Sequence, residues 1–328
     1  MKKIALEEHF ITSDFLPDTQ KADFAKMNQE SATDFQTRLL DFDDLRIKAM
    51  DEAGIEISVL SLTDPGIQDI KDTNIAIELA YKTNDFLANK ISKNPGRFRG
   101  FACLPLQDPI NAAKELERCV RQHGFVGGLV NGQTQGSYLD EEKFHPFWKK
   151  VEELNVPIYL HPGSPQHIPA NYKDQLELAG PLWGWTVETG THALRMVFSG
   201  LFDLFPGIRI ILGHMGETIP YLLWRLDSRW NIIKHPKDLK KSPSQYIREN
   251  FYVTTSGMCA NGPLTCAIQE LGAERVMFSV DYPYESSNVA AQFIEQAPFS
   301  QKVMEKICYE NAYRVLNLKD KNKDSNRL

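Results

Sequence analysis

Five side chains capable of binding a metal stand where short apolar runs end. Glu7 and His9 follow Ile4-Ala5-Leu6, and His161 follows Ile158-Tyr159-Leu160. His214 follows Ile210-Ile211-Leu212-Gly213, and Asp281 follows Phe278-Ser279-Val280. Glu7 and His9 are two positions apart, so on a strand they share a face. A carboxylate beside an imidazole, at the end of a buried strand, suits a hard or borderline divalent cation. The chain has eight histidines, and three of them occupy such ends. A lone histidine of this kind is ordinarily a hydrogen-bonded structural residue. Five candidate ligands at four strand ends ask for a common cause.

The elements that must position these residues can be read from the pattern. Lys3 to Glu7 reads as a strand, and residues 10–37 as an irregular polar-aromatic stretch, long enough for a lid or a site wall. Apolar residues at helical spacing follow over Leu39 to Ala53, with Gly54 as the stop. The alternation then repeats. Strands are expected at Ile55–Leu62, Phe98–Leu104, Phe125–Val130, Val156–Leu160, Ile208–Gly213, Phe251–Thr255 and Arg275–Val280. Helices are expected at Ile75–Ile91, Pro109–Gln122, Glu141–Leu154, His192–Phe205, Thr218–Ile233 and Pro263–Leu271, with two more after the last strand. Residues 163–190, rich in Pro, Gly and Trp, form an insertion between strands five and six. Eight continuous apolar strands alternating with helices describe an α/β fold, a single (β/α)8 TIM-type barrel with C-terminal helices. We take residues 1–328 as one domain, with 319–328 as a flexible charged tail. A doubly wound open sheet would call for a glycine-rich phosphate loop, and neither GxGxxG nor GxxxxGK[ST] is present. In a parallel barrel the strand ends lie on one rim, so the five candidates converge there.

Composition narrows the function. The chain is 42% hydrophobic and 24% charged with a formal net charge of −6, which gives no reason to expect a nucleic-acid partner. No apolar run approaches the roughly 20 residues of a membrane span. The two lysines of Met1-Lys2-Lys3 lead only to Glu7-Glu8, which is not a signal peptide. The five cysteines are odd in number and scattered, so neither a disulfide framework nor a thiolate zinc site is expected, and a cytoplasmic location fits.

The segments Ala5-Leu6-Glu7-Glu8-His9-Phe10, Leu160-His161-Pro162, Leu212-Gly213-His214-Met215-Gly216-Glu217 and Phe278-Ser279-Val280-Asp281-Tyr282-Pro283 resemble the amidohydrolase superfamily. They are most similar to its metal-dependent, non-oxidative decarboxylases of ortho-hydroxybenzoates, which act on γ-resorcylate, 2,3-dihydroxybenzoate or 5-carboxyvanillate. The likeness runs from residue 3 to about residue 318. Residues 131–141 and 187–192 look closest to the 5-carboxyvanillate type, and the opening motif to the γ-resorcylate type. The resemblance implies one divalent ion (Zn2+ or Mn2+, with Mg2+ an alternative) on Glu7, His161 and Asp281, with His9 a fourth ligand or a near neighbour. Binuclear members carry a modified lysine after strand four; Asn131 stands there, so a single metal is expected.

Other roles follow from spacing and from the likeness together. His214 would face the site, and Glu217, three residues on, would orient it. Arg225, eight residues beyond Glu217, is expected on a similar helix face, where its guanidinium would hold a substrate carboxylate. Asn131 and Tyr282 are candidate substrate contacts, and Phe10, Trp183 and Trp185 candidate wall residues. His192, on an apolar helix face, is expected to be structural. The likeness implies decarboxylation of a small aromatic acid, with Asp281 as proton donor assisted by His214 and Glu217, without an organic cofactor. It also implies a homodimer or homotetramer. The alternative is a metal-dependent hydrolase of a lactone, ester or amide, in which Asp281 would be the base. Gly163-Ser164 follows His161-Pro162 where several of these decarboxylases carry a basic residue.

Overall fold

The computed structural model describes residues 1–15 and 29–318. The expected tail, 319–328, and Phe24 of the polar-aromatic stretch lie outside these residues. Eight parallel strands are hydrogen-bonded in the order β1 to β8, and helices separate them, giving a (β/α)8 barrel. They are β1 Lys3–Phe10, β2 Ile55–Leu62, β3 Phe98–Cys103, β4 Gly127–Asn131, β5 Ile158–His161, β6 Ile210–Leu212, β7 Phe251–Thr254 and β8 Val276–Met277.

Side chains divide between two apolar layers. Leu6, Val59, Phe101, Leu129, Tyr159, Ile211, Tyr252 and Met277 fill the barrel interior, closed below by Val315 and Leu316. The opposite strand faces, including Leu60, Val130, Leu160 and Leu212, pack on the surrounding helices. Burial on both sides is why the strands read as unbroken apolar runs.

The helices begin and end on local chemistry. The carboxylate of Asp72 accepts from the N–H groups of Asn74 and Ile75 at the start of the helix Thr73–Lys93, and Asp108 does the same for Ile110 and Asn111 before Pro109–His123. Such caps satisfy donors that the helix itself leaves unpaired.

Three departures from the sequence reading bear on the site. The stretch 10–37, expected to be irregular, carries the helix α1 Gln29–Leu40 over its last part, and the expected helix 39–53 shortens to α2 Leu45–Ala53. Arg46 of α2 bonds the carbonyls of Asp41 and Arg38 across the break. The helix α3 Gly184–Phe198 begins eight residues earlier than expected. Trp183-Gly184-Trp185 lies in the stretch expected to be an insertion. At Gly184 any Cβ would meet the carbonyl oxygens of Leu178 and Ala179 at 2.6 and 2.7 Å, so this start requires glycine. Finally, Glu217 precedes the helix α4 Ile219–Trp230 rather than starting it. Thr218 takes φ 65°, so the chain turns between Glu217 and α4.

Candidate metal and active site

The opening strand carries an irregularity that decides which way its ligands face. Ala5 pairs with Ser58 and Glu8 with Leu60, so three steps on β1 match two on β2. This is a β-bulge. Leu6 packs inside the barrel and Ala5 outside. The bulge at Leu6–Glu7 then resets the alternation, so Glu7 and His9 also turn inward. There they meet His161 from β5 and Asp281 beyond β8, with one ligand atom of each lying within 4.8 Å of all the others.

Individual distances define the cluster. His161 Nε2 is 3.2 Å from Glu7 Oε1, and His9 Nε2 is 3.2 Å from Asp281 Oδ1. His9 Nε2 and His214 Nε2 each lie 4.0 Å from Glu7 Oε1. The other Glu7 oxygen accepts from the hydroxyls of Tyr159 and Ser256. Thr254 links those two hydroxyls at 2.8 and 2.9 Å. The His161 Nδ1 lies 2.8 Å from the Pro162 carbonyl, which directs Nε2 to the cluster. Glu7 and His9 are fully buried, yet Glu7 Oε1 and His9 Nε2 have no hydrogen-bond partner among the described residues. Orphaned buried acceptors aimed at one another fit a cation bound between them.

His214 completes the constellation without joining the closest set. Its Nδ1 is 2.9 Å from Glu217 Oε1 and its Nε2 is 3.5 Å from Asp281 Oδ2. The turn that carries it is left-handed throughout: His214, Met215, Gly216, Glu217 and Thr218 have φ of 49°, 56°, 83°, 53° and 65°. Asp281 has φ 80°. Strained backbone of this kind gathers at functional sites.

The charges are strongly coupled. Burial works to raise the Asp281 pKa, but the facing imidazoles of His214 and His9 outweigh it and hold the carboxylate below its ordinary range. Burial likewise opposes the charged form of His214, but Glu217 and Glu7 together raise it well above the usual imidazole range. Burial lowers His9. His161 is raised, because the facing Glu7 carboxylate overcomes burial.

His161, His214, Glu217 and Asp281 line a cavity of about 360 Å3, a size suited to a single aromatic ring with substituents. Phe35, Pro162, Pro181, Leu182, Trp185 and Met258 supply apolar walls, and Thr63, Asp64, Thr186, Tyr284 and Glu285 polar ones. The Thr63 and Tyr284 hydroxyls are 2.7 Å apart. No lysine or arginine lines the cavity among the described residues.

The structure brings Glu7, His9, His161 and Asp281 together with His214 and Glu217 close by, and it places the expected substrate contacts outside the cavity lining. Arg225 is exposed on α4 and outside the cavity lining. The turn at Thr218 breaks the two-turn spacing that had put it on the face of Glu217. Tyr282 is buried against the Arg46 guanidinium, 4.7 Å from its ring centroid; Tyr284, two residues on, reaches the cavity instead. Asn131 is buried, with its amide nitrogen 3.4 Å from the Leu62 carbonyl, and it too lies outside the lining. Of the expected wall residues, Trp185 lines the cavity, whereas Trp183 is exposed and Phe10 packs on Phe42 in the core. His192 is structural as expected: its Nε2 accepts from the Leu139 N–H at 2.9 Å. Thr63 and Asp64 follow β2 directly, so position after a barrel strand was the signal that could have found them.

Comparison with known proteins places this geometry. The amidohydrolase family model matches residues 24–318. A γ-resorcylate decarboxylase from Polaromonas sp. (strain JS666) is 46% identical, with 96% of this chain and 98% of the relative covered. The crystal structure of a dihydroxybenzoic acid decarboxylase from the same strain, with bound manganese and the inhibitor 2-nitroresorcinol, superposes with a TM-score of 0.90 at 45% identity, covering 98% of each chain. The 5-carboxyvanillate decarboxylase of Novosphingobium aromaticivorans, complexed with manganese and 4-hydroxy-3-methoxy-5-nitrobenzoic acid, superposes with a TM-score of 0.91 at 35% identity, covering 96% of each. This chain belongs to the amidohydrolase family.

Proposed function

We propose that this chain is a metal-dependent, non-oxidative decarboxylase of an ortho-hydroxybenzoate, working as one barrel domain. The observation that carries this is the pair of orphaned buried atoms, Glu7 Oε1 and His9 Nε2, converging with His161 and Asp281 beneath an aromatic-sized cavity. The likeness over nearly the whole chain to a γ-resorcylate decarboxylase supports the same reading.

Glu7, His9, His161 and Asp281 would hold one divalent ion. The manganese in the two structural relatives supports Mn2+. Such an ion would supply positive charge to hold and polarise an anionic substrate. The protein's own groups then manage a proton. His214, beside Asp281, would hold it, with Glu217 orienting the imidazole. Asp281 passes the proton to the ring carbon that bears the carboxylate. A C–H bond forms there, the C–C bond to the carboxylate breaks, its electron pair restores the aromatic ring, and neutral CO2 departs. Protonation before cleavage avoids an aryl carbanion. The apolar walls keep the ring in place and limit water at the reacting carbon.

The hydrolytic alternative uses the same ligands, but the relatives cited above are decarboxylases, and we set it aside. The deciding assay offers the manganese-loaded protein a panel of hydroxybenzoates, 2,6-dihydroxybenzoate among them, and a panel of lactones. Release of CO2 and a phenol from the first panel is expected; turnover of lactones alone would overturn the reading.

We also infer that the chain works as a homodimer or homotetramer. Tyr221 and Trp224 on α4 are 82% and 78% exposed, and Leu182 at the cavity mouth is 70% exposed. Exposed apolar side chains in number on one protein favour a covered surface. Light scattering on the eluted protein tests this, and a monomer at micromolar concentration would count against it. No helix among the described residues is long and apolar enough to cross a membrane.

A further inference from the structure

Three of the four metal-binding side chains, Glu7, His9 and Asp281, lie on the seam between β1 and the segment after β8. That seam is not an ordinary ladder. β8 ends at Met277, and Phe278 N–H donates to the Ile307 carbonyl, outside the sheet, at 2.9 Å. Side chains take over from there. Ser279 Oγ accepts from two consecutive backbone donors, Leu6 N–H at 3.1 Å and Glu7 N–H at 2.6 Å. These are the two residues of the bulge that turns Glu7 inward. Glu8, facing out of the barrel, accepts from Val280 N–H at 3.1 Å through Oε1. Main-chain bonds resume only at the ligands themselves: Asp281 N–H to the Glu7 carbonyl at 3.0 Å, and His9 N–H to the Tyr282 carbonyl at 2.7 Å.

Arg46 braces the seam from behind. It is 1% exposed, and its Nη2 donates to the His9 carbonyl at 2.5 Å. Its guanidinium also covers the Tyr282 ring. Thus Glu7 is fixed through Ser279, Asp281 through Glu8 and the Glu7 carbonyl, and His9 through Arg46. Ser279, Glu8 and Arg46 are all buried, and none lines the cavity.

We propose that Ser279 and Arg46 are positioning residues for the metal centre: Ser279 pins the β-bulge that turns Glu7 into the barrel, and Arg46 fixes the strand at His9. Neither touches a metal or a substrate. Their effect is on how closely Glu7, His9 and Asp281 approach one another. This rests on the metal reading above. Groups that orient ligands in this manner typically change metal affinity by roughly 10–100-fold when removed.

The test is Mn2+ binding to metal-free, full-length protein, followed by electron paramagnetic resonance of the free ion, with thermal unfolding of the same metal-free samples. The variants are Ser279→Ala and Arg46→Met. The control is Asn84→Ala, which removes a buried amide bonded to Glu115 and to the Cys103 carbonyl, away from the seam. We expect Kd for Mn2+ to rise at least tenfold in the first two, while the control loses Tm but keeps Kd within twofold. If Arg46→Met does not fold, Ser279→Ala, which deletes a single oxygen, decides. Kd within twofold of the parent in Ser279→Ala, or an equal rise in the control, overturns the proposal. A parent protein that binds no Mn2+ instead overturns the metal reading on which it stands.

Discussion

His214 Nε2 lies 3.5 Å from Asp281 Oδ2, joining the end of β6 to the segment after β8. The imidazole is held there from the other side by Glu217, 2.9 Å from Nδ1. Glu217 is the foremost group raising the His214 pKa against burial. Glu217→Gln keeps a hydrogen-bond acceptor but removes that charge. We expect kcat to fall about 10–100-fold with KM nearly unchanged, since general acid–base steps contribute ~100–10,000-fold and Glu217 acts only through His214. An unchanged kcat would detach Glu217 from the proton path.

Asp281 has two proposed duties, as ligand and as acid, and one substitution can separate them. Asp281→Asn can still offer an oxygen to a cation but cannot deliver a carboxyl proton. We expect turnover to be lost, with metal content measured on the same preparation. Retained metal without turnover assigns the acid role. Loss of both leaves only the ligand role, and an active variant removes Asp281 from catalysis.

A cation binding the folded cluster and not the unfolded chain must stabilise the fold by mass action. At a hundredfold excess over Kd the gain is about 2.7 kcal/mol. For a chain of 328 residues, the usual unfolding entropy per residue converts this to a rise in Tm of about 4 °C. Calorimetry with and without a chelator measures it. Equal melting curves at saturating Mn2+ would be incompatible with the four-ligand site.

His192 gives a pH signature far from the chemistry. Burial lowers its pKa from 6.5 to about 3, and Arg195 adds to this. The folded state therefore binds fewer protons than the unfolded state between these values. This contribution to stability is fully present above pH 6.5 and is lost as pH falls towards 3, by about 1.4 kcal/mol per pH unit. Urea midpoints from pH 7.5 to 4.5 should fall accordingly. His192→Phe should be less stable at neutral pH by ~1–3 kcal/mol, because the Leu139 N–H loses its acceptor. Its midpoints should also depend less on pH. A parallel pair of curves would contradict the assignment.

The convergence of Glu7, His9, His161, His214 and Asp281 was legible because a parallel barrel converts strand ends into neighbours; which of the five would hold an ion came only from the resemblance. The orientation of Glu7 was legible only by luck of parity. The pair rule correctly put Glu7 and His9 on one face, but that face is inward because of a bulge paid out at Leu6–Glu7, which no local residue type announces. Arg225 was misplaced because helical spacing was counted through Thr218, whose left-handed φ is rare for a β-branched residue. Tyr284 and Asp64 were missed because loop direction after a strand depends on tertiary packing, not on periodicity. Tyr159 and Ser256, which hold the second Glu7 oxygen, read in sequence as ordinary strand and turn residues.

Gly213 offers a test of how tightly the floor of the site is built. Its φ of −68° is open to any residue, so backbone conformation does not require glycine there. Space does: a Cβ at this position would stand 2.7 Å from Glu7 Oε2 and 3.0 Å from Ser256 Oγ. A free glutamate would swing aside at little cost. Glu7 is not free, because the same oxygen accepts from Tyr159 and Ser256. Gly213→Ala must therefore displace the carboxylate and break at least one of these bonds. We expect a folded protein whose Mn2+ affinity falls at least tenfold, in the range seen when groups that orient metal ligands are disturbed, with turnover falling in step at limiting metal and recovering in part at high metal. Wild-type affinity in this variant would mean that Glu7 has slack, and that the hydroxyl pair does not fix its position.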